Sequence, residues 1–242
     1  DSGNIKTVVT QNPRERIIHN NCGFQWKGII HEILTKDIIL NPLGSNDCDV
    51  VHLANHDDRI ASLKRNIKAV EVTLATTNAS EPRMIYYLAK LFSDMRTLEY
   101  DKKAQELMFE FLLGSSQSEW PEERTQAWGY IADIYNRNNE HNNAVKALMN
   151  GLMDDPENRM MFISLASSYT MMGEYGKALF WLKVSEQVPE KLTILATSPH
   201  EERLRTLEIQ FNCFYYLKEH EKAREVAEQI REFLPQNPLL AY

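Results

Sequence analysis

The feature that most constrains this chain is an internal period. Trp128, Ile131, Ala132, Tyr135, Ala144, Leu148, Gly151 and Pro156 form a set. A shift of 34 residues lays Phe162, Leu165, Ala166, Tyr169, Ala178, Leu182 and Ser185 on the same positions, with Pro189 one residue early. After an insertion of 11 residues, Leu207, Phe211, Phe214, Ala223, Ala227, Ile230 and Pro235 carry the set again, more loosely. Ile85, Leu88, Ala89 and Phe92 open an earlier copy, whose second half, Ala104, Met108 and Phe111, comes three residues late. A period of this length marks a unit of two helices that cannot bury its apolar face alone, so neighbouring units must stack. Small residues let paired helices approach closely, aromatics fill the gaps between units, and prolines close each unit. The methionines of "NRMMF" and "YTMMG" read as filler between helices.

The pattern resembles the tetratricopeptide repeat. That resemblance implies paired antiparallel helices from about residue 57 onward, stacked in a right-handed superhelix. It also implies a concave groove lined by the first helix of each pair. Carried over by register, the groove residues are Gln126, Asp133 and Asn136, then Ser167 and Thr170, then Arg205, Glu208 and Asn212. These polar side chains lie between core positions, where an acceptor or partner polypeptide could be held by hydrogen bonds, some through water.

Composition changes near Asn55. Before it, short apolar runs such as "RIIHN", "WKGIIHEIL" and "DVVHLAN" alternate with Gly, Asn and Pro, which reads as short strands and turns. After it, Ile60, Leu63, Ile67, Val70 and Leu74 share one helical face, and Asp57 and Asp58 suit that helix's N-terminus. The expected fold class is therefore mainly α, a tetratricopeptide-like α-α superhelix with a small N-terminal β-rich segment. The expected division is a β-rich part over 1–55, a connecting helix over 56–80 and helical repeats over 81–242.

Charge and cysteine usage narrow the partners. A net charge of −7 lacks the basic balance of a general nucleic-acid binder, so no nucleic acid is expected. Cys22, Cys48 and Cys213 show no metal-ligand spacing, and so sparse a set suits reduced thiols in the cytoplasm. No apolar run has the length of a membrane span.

The N-terminal segments, taken in order, resemble a second family. Arg16 to Asn20, Trp26 to Glu32, Val50 to His52 and Lys64-Arg65-Asn66 are similar to the end of the catalytic domain of family 2 glycosyltransferases of GT-A type, in the branch followed by tetratricopeptide repeats. "EPRMIYYLAKLF" (Glu81 to Phe92) and "SEWPEERTQAW" (Ser118 to Trp128) extend the likeness into the repeats. The β-rich segment would then be a remnant of that catalytic domain. The resemblance implies sugar transfer from a nucleotide-sugar donor to a polypeptide or glycan acceptor. It implies Glu32 as proton acceptor or acceptor-orienting group with His31 beside it, and His52 near a divalent metal, Mg or Mn, that neutralises the leaving diphosphate.

Asp47 and Asp49 have D-x-D spacing, but they follow His31-Glu32 instead of preceding it and lie in the turn-like "NPLGSNDCD". The family's nucleotide-binding strands and true D-x-D are missing, so the chain would supply only the acceptor side of the enzyme. The rival reading is a non-catalytic repeat scaffold for protein interaction, with the β segment capping the first helices. A homo-oligomer is the other assembly considered.

Overall fold

The computed structural model describes residues 25–27, 33–35, 59–76, 82–115, 121–189 and 199–233. Two short strands, β1 (Gln25–Lys27) and β2 (Ile33–Thr35), pair antiparallel with Trp26 opposite Leu34. The remainder of 1–55 lies outside the described residues. The other described elements are helices: α1 (Arg59–Thr76), α2 (Pro82–Asp94), α3 (Leu98–Gly114), α4 (Pro121–Arg137), α5 (His141–Asp154), α6 (Arg159–Met171), α7 (Tyr175–Gln187), α8 (Pro199–Tyr216) and α9 (His220–Phe233). Proline opens α2, α4 and α8, where its missing N–H has no intrahelical partner to lose and its fixed φ already suits a helix. The chain divides into two compact units, one ending at Phe111 and the next running on from Leu112.

In the first of these units, α1 buries Leu63, Ile67 and Val70, while Ile60, in its first turn, is exposed. Ala89 of α2 and Ala104 of α3 are fully buried small residues, and Tyr86 packs on Phe111 with ring centroids 5.3 Å apart. The α2–α3 turn is closed by rings: Phe92 and Tyr100 lie 5.4 Å apart. Lys103 Nζ sits 5.3 Å from the Tyr100 centroid and bonds Glu99 at 2.7 Å. Both partners of that ion pair are well exposed, so it adds little stability.

In the second unit, α4/α5, α6/α7 and α8/α9 form successive pairs. The positions expected to be small are buried: Ala132, Ala144, Ala166, Ala178 and Ala223 are at most 4% exposed. Gly151 shows why one of them must be small. A Cβ there would stand 3.0 Å from Met161 Sδ and 3.1 Å from Trp128 Cβ. Ile163, Ala166, Ala178 and Leu182 continue into Ile209 and Cys213, so a single apolar cluster joins α6, α7 and α8. Phe162 and Trp181 stack at 5.9 Å. Tyr135 and Tyr169, the aromatic positions of the period, are half-buried.

The three turns inside these pairs are alike. Asn139, Gly173 and Lys218 have positive φ, at 61°, 75° and 63°. Each donates its N–H three residues back, to Asn136, Thr170 and Tyr215, at 3.0–3.1 Å. The next residue, always Glu (140, 174, 219), donates five residues back, to Tyr135, Tyr169 and Phe214, at 2.8–2.9 Å. This is the Schellman arrangement, which satisfies the carbonyls left over at a helix end. The same Glu carbonyl then accepts from Ala144, Ala178 or Ala223 and starts the following helix.

Candidate functional site

The first helices of the three pairs, α4, α6 and α8, carry the residues expected to line the groove. Ser167 and Thr170 of α6 and Arg205, Glu208 and Asn212 of α8 line one cavity of about 560 Å³. Positions 201, 204, 205, 208 and 212 recur at three- and four-residue steps, so they share one face of α8. Met171, Leu204 and Ile209 give the cavity an apolar lining, and Glu201 adds a second carboxylate to that of Glu208. Sequence reasoning missed Glu201, Leu204, Ile209 and Met171. The helical spacing of Glu201 and Leu204 from Arg205 and Glu208 was the signal that could have found the first two.

The other expected groove residues lie differently. Asp133 of α4 reaches toward α8, with Oδ1 3.9 Å from Arg205 Nη2, and both side chains remain partly exposed. At that distance and exposure the pair is loose and solvated. Gln126 is half-buried on α4 and does not line the cavity. Asn136 is buried at 8% exposure. Its Nδ2 donates to Ser168 Oγ at 2.9 Å, and its Oδ1 lies 3.0 Å from His141 Nδ1. An amide that is buried must be satisfied, and here it is satisfied by neighbouring helices rather than offered to a ligand. Thr170 Oγ1 donates to Ala166 O at 2.9 Å and lies 3.6 Å from Cys213 Sγ. Burial pushes the Cys213 thiol above its ordinary range, and the Thr170 contact offsets part of that.

Arg124 forms a second polar centre, which holds helices together. Its Nη1 donates to Leu112 O at 2.7 Å, Ser115 O at 2.8 Å and Ser115 Oγ at 3.1 Å. Its Nε lies 3.4 Å from Asp154 Oδ2, an ion-pair contact without hydrogen-bond alignment. Asp154 also accepts from Trp128 Nε1 at 3.1 Å. The end of α3, the start of α4 and the end of α5 thus meet on one buried guanidinium.

His31, Glu32 and His52, the residues expected to carry catalysis and metal binding, lie outside the described residues. Among the described residues no group of three His, Cys, Asp or Glu side chains could hold a metal ion. No helix among the described residues is long and apolar enough to cross a membrane.

No family model and no curated protein matches the sequence. Solved structures do match. One, described as the functional characterization of Pseudomonas aeruginosa pilF, is 12% identical with a TM-score of 0.55, over 74% of this chain and 72% of that one. A Podosopora anserina putative kinesin light chain with nearly identical TPR-like repeats is 17% identical with a TM-score of 0.52, over 73% and 89% of the two chains. MamA is 15% identical with a TM-score of 0.52, over 75% and 99%. The fold is tetratricopeptide-like.

These likenesses correct the transferase reading. The structures that the chain matches share a tetratricopeptide-like fold, and no glycosyltransferase family model matches the sequence. The motifs that extended the resemblance into the repeats have a packing explanation. In "PRMIYYLA", Ile85, Tyr86, Tyr87, Leu88 and Ala89 are buried faces of α2. In "EER", Glu123 and Arg124 are buried, and Arg124 anchors the helix junction described above. Both strings reflect the demands of stacking helices, which any repeat of this type must meet.

Proposed function

We propose that this chain is a non-catalytic tetratricopeptide-like scaffold that binds a polypeptide along α4, α6 and α8. The observation that carries this is the cavity between α6 and α8, in which five first-helix side chains, Ser167 and Asn212 at equivalent places among them, meet an apolar lining. Its volume of about 560 Å³ falls within the usual range of ligand sites, and six polar side chains share it with three apolar ones. Each hydrogen bond there would contribute about 0.5–1.5 kcal/mol, so affinity would be modest and spread over several contacts.

An array of immobilised random 12-residue peptides tests the reading. The protein should bind a subset. Asn212→Trp, which fills the cavity, should abolish that binding, while Lys183→Trp, on an exposed position of α7 outside the cavity, should preserve it. Binding unchanged by Asn212→Trp would remove the cavity from the function.

A further inference from the structure

We infer that the peptide in this cavity continues onto a step of exposed tyrosines beside the ends of α6 and α8, and that it carries proline there. The inference rests on the peptide-binding reading above and extends it beyond the cavity. Asn212 lines the cavity, and Tyr216 lies one helical turn further along the same face of α8. Met171 lines the cavity from α6, and Tyr175 follows it across the turn at Gly173. Tyr175 and Tyr216 stack, with ring centroids 5.0 Å apart and planes 6° from parallel. Tyr215 meets Tyr216 at 86° and stacks on Phe211, and His220 meets Tyr215 edge to face. The rings fix one another in place, yet Tyr215 is 49% and Tyr216 59% exposed. Tyrosine is enriched at protein interfaces, and a platform held rigid beforehand loses little freedom on binding.

Three observations select what crosses this step. Glu174 pairs with Lys177 at 3.4 Å and Glu219 pairs with Lys222, and each lysine also lies over a ring, Tyr169 or Phe214. These charges are satisfied within their own turns, and the step presents aromatic surface. Among the described residues none hydrogen-bonds the phenol oxygens of Tyr175, Tyr215 and Tyr216, so these hydroxyls can donate to the carbonyls of a partner backbone. A Cβ at Gly173 or Gly176 would meet no atom within 4 Å, so the main chain on either side of Tyr175 is open to close approach. Aromatic rings beside an open lane suit the extended polyproline conformation. A flexible apolar side chain would lose rotamer freedom on so shallow a surface, whereas proline has none to lose. Side chains one helical turn apart are separated by about 5–6 Å. An extended chain covers that distance in about two residues, so the proline stands two residues from the side chain that fills the cavity.

Two fluorescein-labelled 13-residue peptides test this. Both have a Gly/Ser backbone and a central Leu. One has Pro and the other Ala two residues away on each side, so the direction of the bound chain does not matter. Fluorescence polarisation should place the Pro peptide roughly 5-fold tighter than the Ala peptide. That advantage should persist at about 0.5 M salt, because it does not depend on charge. Tyr175→Ala with Tyr216→Ala should erase it, with the melting temperature checked against the parent. If that double variant fails to fold, Gly176→Glu carries the test: it obstructs the open lane from the first turn of α7, where a carboxylate suits the helix. A proline advantage that these variants leave intact would overturn the tyrosine step. Equal binding of the two peptides, abolished by Asn212→Trp, would also overturn the step and leave the cavity reading standing. Binding of neither peptide, or binding that survives Asn212→Trp, would overturn both.

Discussion

Across the junction between α4 and α6, Asn136 donates to Ser168 at 2.9 Å. One repeat later the equivalent positions are Thr170 and Cys213, and their side chains lie 3.6 Å apart. The register is the same and the chemistry is not. Asn136 ties three helices, because its oxygen also meets His141 at the start of α5. Thr170 gives its proton to its own helix at Ala166, and a thiol is a weak partner. The first junction is pinned by a buried polar network. The second is held by Ile163, Ile209 and Cys213, and beside it lies the cavity. A repeat array can therefore keep one stacking register throughout and still leave an open space where the polar tie is weakest.

The pinned side can be broken most severely at Arg124. Arg124→Leu should leave Asp154 and the carbonyls of Leu112 and Ser115 without their guanidinium, at a cost of about 3–5 kcal/mol in urea unfolding. A loss under about 1 kcal/mol would mean that water replaces the arginine without penalty. The two junctions can then be compared directly. Asn136→Ala should cost about 1–3 kcal/mol, because it strips a partner from both Ser168 and His141. Thr170→Val should cost less than about 1 kcal/mol, since it keeps the volume and loses a bond made within one helix. Equal costs at 136 and 170 would erase the distinction between the junctions.

Smaller effects should come from the turns. Gly173→Ala should destabilise by about 1 kcal/mol, because φ of 75° is unfavourable to a Cβ. Lys218→Gly should stabilise slightly, by about 0.5–1 kcal/mol, relieving the same conformation at the cost of a freer unfolded chain. Shifts in Tm of opposite sign for the two variants would confirm that both turns share one geometry.

The helical pairs were legible because their signal is local and periodic. Ala132 and Ala166, or Leu148 and Leu182, hold the same place in successive units and are buried in both. The stretch near His141 reads as a polar turn between helices, and the pattern it shares with two others is equally legible: "NEHNNA", "GEYGKA" and "KEHEKA" repeat a left-handed position, a Glu and a buried Ala. What could not be read is what depends on distant partners. Asn136 was expected in the groove because its place on the helix allows it, and it is buried because Ser168, 32 residues on, accepts its amide proton. Arg124 passed for a family motif because Asp154 gives no sign in the sequence of meeting it. Ser167, Arg205, Glu208 and Asn212 line one cavity together, since helical spacing decides which side of a first helix they occupy.

The recurring Schellman turn has a consequence for inheritance. Its hydrogen bonds run from main chain to main chain, so the joint asks of its side chains little more than tolerance of one left-handed residue. Asn, Gly and Lys all serve in this one molecule. A joint so undemanding lets mutations accumulate on every surface that the stack does not bury. Lineages can then remodel their surfaces while the fold persists, and resemblance in shape will outlast resemblance in sequence.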